Sequence, residues 1–188
     1  MRIIGGKFKS RVLAEFKGDA VRPTADRTKE ALFNILGYGV RGARVLDLFA
    51  GSGALGLESL SRGAAEVVFN DLSKDSVAIL KKNLASLKLS IGEEVKVHTQ
   101  DALTCLSCLT GTFDIIFIDP PYRLEVGVES LKKIAKRGLL SEDGVIVFER
   151  DKPLGEEIEG LIVTDERKYG KAYLTFLKKA RQNDDGNE

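Results

Sequence analysis

The sequence has few residues of the kinds that build metal centres, disulfide frameworks or membrane spans. Its 188 residues include two cysteines and one histidine, too few for a tetrahedral metal site and unlike a disulfide scaffold. A spanning helix needs about 20 consecutive apolar residues, whereas the apolar runs are short, as at 115–118. Arg2 and Lys7 stand where a signal peptide would be apolar. We expect a cytoplasmic protein with no metal and no membrane partner.

Charge is nearly balanced overall but uneven along the chain. The net charge is +1, yet residues 1–44 hold ten Lys/Arg against four Asp/Glu, a charge of +6 that leaves −5 for the remaining 144 residues. A basic segment on a mildly acidic body is typical of a protein that contacts a polyanion. An ordinary solvated surface would explain the same pattern.

Hydrophobic periodicity predicts an α/β protein. From Arg44, short apolar runs alternate with amphipathic segments, which indicates a mostly parallel sheet with helices on both faces. The predicted strands are 44–49, 66–70, 94–98, 114–118 and 144–149, and the predicted helices lie near 54–62, 74–87, 102–109 and 126–137. Residues 139–144 are interpreted as a turn before the last of these strands. The runs 161–167 and 172–178 leave no room for a crossover helix, so they should pair as an antiparallel hairpin.

The first 43 residues are predicted to be an appendage to the domain formed by residues 44–180. Apolar residues on both sides of Gly5-Gly6 indicate a small hairpin or an extended arm, and the helical spacing after Arg22-Pro23-Thr24 ends at Gly37. The polar residues 181–188 are expected to be a frayed, disordered tail.

A glycine-rich turn follows the first parallel strand. Gly51, Gly53 and Gly56 form a Gly-x-Gly-x-x-Gly pattern, which lets a ligand approach the backbone and directs free helix amides towards it. Asp71 comes 20 residues after Gly51, at the end of the next strand, where an acid can accept hydrogen bonds from ribose. The sequence therefore predicts a nucleoside site at the carboxyl ends of these strands.

A carboxylate before the glycines bears on the identity of that nucleoside. Asp47 would repel a pyrophosphate but suits an ammonium group, which favours S-adenosylmethionine over a dinucleotide. Asp101, just past the third strand, could accept from the adenine amino group or could simply cap the following helix. The two roles are compatible.

The tetrad Asp119-Pro120-Pro121-Tyr122 follows the fourth strand. Two prolines hold a stiff turn whose carbonyls remain acceptors, and such acceptors beside an aromatic ring suit a planar base with an exocyclic amine. If Asp119 and the Pro120 carbonyl accept that amine's hydrogens, its lone pair can face an electrophilic methyl group. Tyr122 would stack on a flipped base. A plain loop after a strand is the alternative interpretation.

In these motifs the chain resembles the bacterial RsmD family of class I S-adenosylmethionine-dependent methyltransferases. The resemblance runs from Arg2–Lys7 through Arg22–Thr24, Asp26–Leu36 and Leu46–Gly56 to the tetrad. It implies a Rossmann-like seven-stranded sheet with an antiparallel C-terminal strand, and methylation of guanine N2 in 16S rRNA. The cofactor-binding candidates are Asp47, Phe49, Ala50, Gly51, Ser52, Gly53, Asp71, Leu72, Asp101, Ala102 and Asp119. Asp71 departs from the glutamate more frequent in the family.

The residues also favour guanine, since N1–H and N2–H₂ offer two adjacent donors to Asp119, whereas adenine presents an acceptor at N1. The candidate RNA contacts are Lys7, Lys9, Arg11, Arg22, Thr24, Arg27 and Lys29, and the basic arm could order only on RNA. The expected partner is 16S rRNA, within a small ribosomal subunit or its precursor, bound by a monomer. Two alternatives stay open: methylation of another amine or amide, such as adenine N6 or a protein glutamine, and a noncatalytic nucleotide- or RNA-binding domain.

Overall fold

The computed structural model describes residues 1–16, 23–121 and 125–180, with the side chains of 23–25 outside that description. Within these ranges, seven strands form a single sheet in the order β3-β2-β1-β4-β5-β7-β6. The strands are β1 Arg44–Asp47, β2 Glu66–Asn70, β3 Val95–His98, β4 Phe113–Ile118, β5 Leu140–Arg150, β6 Leu161–Tyr169 and β7 Ala172–Lys179. The first five pair in parallel, and β7 pairs antiparallel with both β5 and β6. The predicted fold class and C-terminal hairpin are confirmed.

In the part of the chain that the structure describes, five α-helices cover the two faces of this sheet. They are α1 Pro23–Leu36, α2 Ala54–Ser61, α3 Lys74–Ser86, α4 Ala102–Cys108 and α5 Val126–Arg137, and short 3-10 helices occupy Gly6–Phe8 and Gly37–Val40. Helix α1 begins at a proline, whose missing N–H is harmless in the first turn, and ends before Gly37, which has a φ of 54°. Among the described residues, no helix is both long enough and apolar enough to cross a bilayer.

Strand alternation divides the core into two layers. Val45 of β1 packs in the layer formed with α1, α2 and α3, whereas its neighbour Leu46 packs in the layer formed with α4 and α5. Successive side chains of a strand point to opposite faces, so the continuous apolar strands β1 and β4 serve both layers. The carboxyl ends of these strands are left at one edge of the sheet, where the candidate site lies.

Strand β5 begins earlier than predicted. Residues 139–144 were expected to form a turn, but Leu140 already pairs with Phe113 of β4. The register then shifts before Ile115 pairs with Val145, so the turn-like residues form an irregularity within the strand. Gly144 allows this, because a Cβ there would lie 3.0 Å from the Phe113 carbonyl oxygen.

Residues 1–16, the N-terminal segment, fold back on themselves and pack on α2. Arg2 forms an antiparallel bridge with Val12, which confirms a small hairpin. The backbone N–H groups of Ile4 and Gly5 donate to the buried carboxylate of Glu58 at 2.7 and 2.8 Å. Glu58 therefore satisfies backbone donors of this segment from within the protein, and an ordering of the basic arm by RNA stays a prediction.

The N-terminal segment also contributes to the common core. Ile3 and Leu13 are buried in the same cluster as Val45. Side chains from both sides of the predicted boundary at residue 43 therefore share one core layer, and the boundary itself stays a prediction. The predicted tail at 181–188 lies outside the described residues.

Candidate active site

The site begins where β4 ends. Asp119 follows the strand directly. It lines a cavity that is open to solvent, so it is exposed although protein atoms surround it on most sides. Pro120 is buried beneath it against α5, where a Cβ on Gly127 would come within 2.9 Å of the proline ring. A larger residue than glycine at 127 would displace that ring. Pro121 is exposed, and Tyr122, predicted to stack on the base, lies outside the described residues.

Three carboxylates approach one another at this edge of the sheet. Loss of solvation, then the negative charges of Glu149 and Asp47, raise the pKa of Asp119 well above its usual range. Burial raises the pKa of Asp47 to about 7, against the effect of the Gly56 N–H, which donates to its Oδ2 at 2.9 Å. The arrangement would be stabilised by a positive charge placed between these groups.

The glycine-rich turn is held by hydrogen bonds within the protein. Gly51 N–H donates to Asp71 Oδ2 at 2.8 Å, and Gly53 N–H donates to the Ala50 carbonyl at 2.7 Å. Together with the Gly56 bond to Asp47, these contacts use the amides of all three glycines. The expectation that these amides point freely at a ligand is wrong for them, and a turn so bonded is poorly suited to binding a phosphate.

Gly51 and Gly53 differ in what lies beside them. Gly51 has a φ of 54° and nothing within 4 Å of where a Cβ would lie, so its face of the turn is open. Gly53 has a φ of 85°, and a Cβ there would lie 2.4 Å from a methyl group of Leu80 on α3. The turn is therefore open towards the cavity and packed tightly against α3 behind it.

Asp71 and Asp101 both have structural roles at the outer strand ends. Besides Gly51 N–H, Asp71 accepts the Ser73 N–H at 2.8 Å. Asp101 caps α4 by accepting the Thr104 N–H at 2.9 Å, and hydrogen bonds to Thr104 lower its pKa. The capping interpretation of Asp101 is confirmed, and the cofactor role of both acids stays a prediction. Beside them, Leu72 is 70% exposed and Ala102 is buried.

A cavity of about 840 Å³ opens at the carboxyl ends of β1, β4 and β5. It brings together six of the predicted cofactor-binding residues, namely Asp47, Phe49, Ala50, Gly51, Ser52 and Asp119. The remaining predicted cofactor-binding residues lie outside its lining, towards β2 and β3. They are Gly53, Asp71, Leu72, Asp101 and Ala102. The volume falls within the range of about 300–1,000 Å³ of small-molecule sites.

Several residues of this cavity were not predicted as site residues. Glu149 comes from the end of β5, and a charged residue at the end of an apolar parallel strand is a signal that could have found it. The β6–β7 turn adds Tyr169 and Lys171. Another wall is formed by three residues of the N-terminal segment, Met1, Glu15 and Phe16. Their position depends on tertiary packing, which a sequence pattern does not show.

The predicted RNA contacts divide by exposure. Lys7, Lys9, Arg11 and Arg27 are exposed, whereas Arg22 and the side chain of Thr24 lie outside the described residues. Lys29 is only 4% exposed; its ammonium donates to the Arg2 carbonyl at 2.7 Å and lies 3.5 Å from Glu58 Oε2. Lys29 also lines the cavity, and its predicted contact with RNA, which these internal partners would oppose, stays a prediction.

The residues present fit S-adenosylmethionine. A cationic sulfonium and ammonium suit a cavity lined by the carboxylates of Asp47, Asp119 and Glu149, and an open glycine face leaves room for a ligand against the backbone. A dinucleotide fits less well, since its pyrophosphate would meet the same negative charges. Asp47 and the turn 49–52 would hold the aminoacyl end, and Asp71 would face the ribose.

Comparison with known proteins agrees with this geometry. The family model described as "Conserved hypothetical protein 95" matches residues 1–178. Ribosomal RNA small subunit methyltransferase D of Haemophilus influenzae is 39% identical over 158 residues, covering 82% of this chain and 81% of that protein. YlbH of Bacillus subtilis, provisionally named an rRNA methyltransferase, is 39% identical over 185 residues, covering 95% and 99%.

A solved structure shows the same fold along nearly the whole chain. The Escherichia coli protein yhhF, provisionally named a methyltransferase, superposes with a TM-score of 0.83 at 32% sequence identity, covering 97% of this chain and 99% of that one. Sequence and fold therefore agree over both the N-terminal segment and the sheet. The chain belongs to the RsmD family of class I methyltransferases.

Proposed function

We propose that this protein transfers a methyl group from S-adenosylmethionine to the exocyclic N2 amine of a guanine in 16S rRNA. The observation that carries the proposal is the position of Asp119, which stands in the same cavity as Asp47 and the glycine-rich turn. Relatives named for small-subunit rRNA methylation support the choice of RNA. A cytoplasmic monomer that acts on a small ribosomal subunit or its precursor fits this assignment.

The cofactor would supply an electrophilic methyl group on a sulfonium. Asp47 and Glu149 would stabilise positive charge on their side of the cavity, because both carboxylates line it. Asp71 would fix the position of the ribose while it holds Gly51 through its other contacts. These residues would orient the donor so that its methyl group faces Asp119.

Asp119 and the Pro120 carbonyl would orient the acceptor nitrogen. A guanine amine is a poor nucleophile because its lone pair is delocalised into the ring, and two acceptors on its hydrogens favour a geometry in which that lone pair is available. As the nitrogen–carbon bond forms and the carbon–sulfur bond breaks, the nitrogen becomes acidic. Its proton can then pass to the Asp119 carboxylate or to water, without a tuned general base.

RNA would approach across the exposed cations. Lys7, Lys9 and Arg11 of the N-terminal segment and Arg27 of α1 are all exposed, and the same segment lines the cavity through Glu15 and Phe16. Phosphate contacts here would hold the RNA while a base is flipped towards Asp119. Arg22 and Thr24 remain candidate RNA contacts, and Tyr122 a candidate for stacking on the flipped base, from the sequence alone.

Charge-removing substitutions test the RNA surface better than truncation. Because Ile3 and Leu13 belong to the core, deleting the segment would destabilise the fold. A triple variant with Lys7, Lys9 and Arg11 changed to Gln should bind small subunits more weakly, with a smaller dependence of affinity on salt. The variant with Lys132, Lys133 and Lys136 of α5 changed to Gln is the control. Equal salt dependence in the wild type and the first variant would contradict this assignment.

Two measurements test the catalytic proposal itself. S-adenosylhomocysteine, but not NAD, should raise the thermal midpoint of the protein. Labelled S-adenosylmethionine should then transfer its methyl group to small subunits that lack the modification, and Asp119→Asn should greatly slow the transfer. Stabilisation by NAD alone would favour a noncatalytic dinucleotide-binding domain instead.

A further inference from the structure

Asn83 lies behind the cavity, on the face of α3 that packs against the glycine-rich turn. Its side chain is only 1% exposed, and Leu80, one turn earlier on the same helix, is the residue that closes the space behind Gly53. No step of the proposed reaction uses Asn83. A buried amide at such a place must be satisfied by hydrogen bonds, and its partners determine what it connects.

The amide group of Asn83 joins two separate stretches of backbone. Its Oδ1 accepts the Ala14 N–H at 2.7 Å, and its Nδ2 donates to the Ala14 carbonyl at 3.1 Å. The same Nδ2 donates to the Ser52 carbonyl at 2.9 Å. One side chain therefore holds both backbone groups of Ala14 in the N-terminal segment and one backbone group of the glycine-rich turn.

Both stretches continue into walls of the cavity. Ser52 itself lines the cavity on the turn side, and Glu15 and Phe16, the two residues after Ala14, line it on the side of the N-terminal segment. A ligand that fixes the turn would fix the Ser52 carbonyl, and through Asn83 it would also fix the backbone that carries Glu15 and Phe16.

We propose that Asn83 is a positioning residue that couples occupation of the cofactor site to the placement of the N-terminal segment. This inference rests on the proposed function and extends it, because the segment that Asn83 positions carries the cations assigned to RNA. Cofactor binding and RNA binding then strengthen each other by the same factor, as thermodynamic linkage requires. Loss of the Nδ2 donor uncouples the two sites while both sites remain present.

Asn83→Asp is the variant that isolates this donor. It preserves the shape of the side chain and the oxygen that accepts the Ala14 N–H, but it places an acceptor against the Ser52 and Ala14 carbonyls. Asn34→Asp, on an exposed position of α1, makes the same chemical change away from these contacts. Unfolding midpoints of both variants show how much of any effect is loss of stability.

Hydrogen exchange at the Ala14 amide is the direct readout, because that N–H is one of the bonds in question. In the wild type, saturating S-adenosylhomocysteine should slow exchange at Ala14 by about fivefold or more, the lower end of common coupling factors. Asn34→Asp should show the same slowing, and Asn83→Asp should show none while still binding S-adenosylhomocysteine.

The outcomes separate this inference from the proposed function. Absence of S-adenosylhomocysteine binding by the wild type would overturn both. Binding without any change at Ala14 in the wild type would overturn the coupling alone, and this comparison needs no variant.

A second readout excludes a merely structural role. The ratio of small-subunit affinities with and without S-adenosylhomocysteine should be above one in the wild type and fall to one in Asn83→Asp. A variant that is only less stable would lose affinity for both ligands in parallel and keep the ratio, and that result would overturn the coupling.

Discussion

Acidic residues lie at the carboxyl ends of the central strands β1 and β4, the inner ends, and after β2 and β3, the outer ends. Their interactions differ between these two regions. At the outer ends, Asp71 and Asp101 accept backbone N–H groups and hold a turn and a helix. At the inner ends, burial and then the charge of Asp71 raise the pKa of Asp47, and loss of solvation and then the charges of Glu149 and Asp47 raise the pKa of Asp119. Aspartate therefore stabilises the fold at the outer ends, whereas at the inner ends its ionised form is unfavourable. Strongly raised pKa values such as those at the inner ends are typical of functional sites.

The largest effect should come from the inner acid nearest the proposed acceptor. Asp119→Asn replaces the carboxylate that would orient the amine and take up its proton, so kcat should fall by about 100-fold or more. Affinity for S-adenosylhomocysteine should change little. Single-turnover methyl transfer with labelled cofactor gives the rate, and a variant with the wild-type rate would remove Asp119 from the mechanism.

Asp47→Asn should separate binding from stability. Loss of the carboxylate should weaken S-adenosylhomocysteine binding by roughly tenfold, the scale of one hydrogen-bonded charge. The variant should be at least as stable as the wild type at pH 8, since it removes a buried negative charge. Calorimetric titration and thermal unfolding measure the two effects. Unchanged affinity would show that Asp47 does not face the ligand's positive charge.

The pH dependence of binding should sharpen the same contrast. Below about pH 7 the Asp47 carboxyl of the free protein is protonated, and binding a cation then requires release of that proton. Wild-type affinity for S-adenosylhomocysteine should therefore rise between pH 5.5 and 7.5, by at most about tenfold per pH unit for one such group. Asp47→Asn should flatten this rise. If affinity rose equally with pH in the wild type and in Asp47→Asn, a group other than Asp47 would be responsible for the pH dependence.

The pH dependence of stability has the opposite sign. The folded protein keeps the Asp47 proton up to about pH 7, whereas the unfolded chain releases it near the usual value of 3.8. Between these values the unfolded state binds fewer protons, so this group's contribution to stability decreases as pH rises. The unfolding midpoint of Asp47→Asn relative to wild type should thus increase from pH 5 to pH 8. A constant difference would contradict a raised pKa.

The smallest effect should come from the outer acid Asp101. Asp101→Ala removes the cap of α4 and should lower the free energy of unfolding. Its effect on cofactor affinity should be smaller than that of Asp47→Asn, and Asp101→Asn, which can still cap the helix, is the matched control. Chemical denaturation measures the cost. A loss of affinity larger than that of Asp47→Asn would reverse the ranking of the two regions.

Local patterns were sufficient to predict the parallel strands, the glycine-rich turn and the place of Asp119, because buried strands read as continuous apolar runs and their carboxyl ends share an edge. The burial of Lys29, which does not favour its assignment to RNA, has a reason visible in the sequence. Lys29 is spaced three and four residues before Leu32 and Phe33, which places it on the buried face of α1.

Other features depend on contacts between distant parts of the chain. Glu58 accepts backbone N–H groups more than 50 residues away, and Asn83 bonds to a residue 69 positions away. Neither has a periodic or motif signal, since a buried polar residue in a helix is identified only by the partners that satisfy it.

The identity of the methylated nucleoside tests the central claim most directly. Small subunits lacking the modification would be incubated with the protein and labelled S-adenosylmethionine, digested to nucleosides and separated by chromatography. The position of Asp119 predicts that the label is recovered in N2-methylguanosine. Label recovered in N6-methyladenosine would contradict the guanine assignment, and label confined to protein would contradict an RNA substrate altogether.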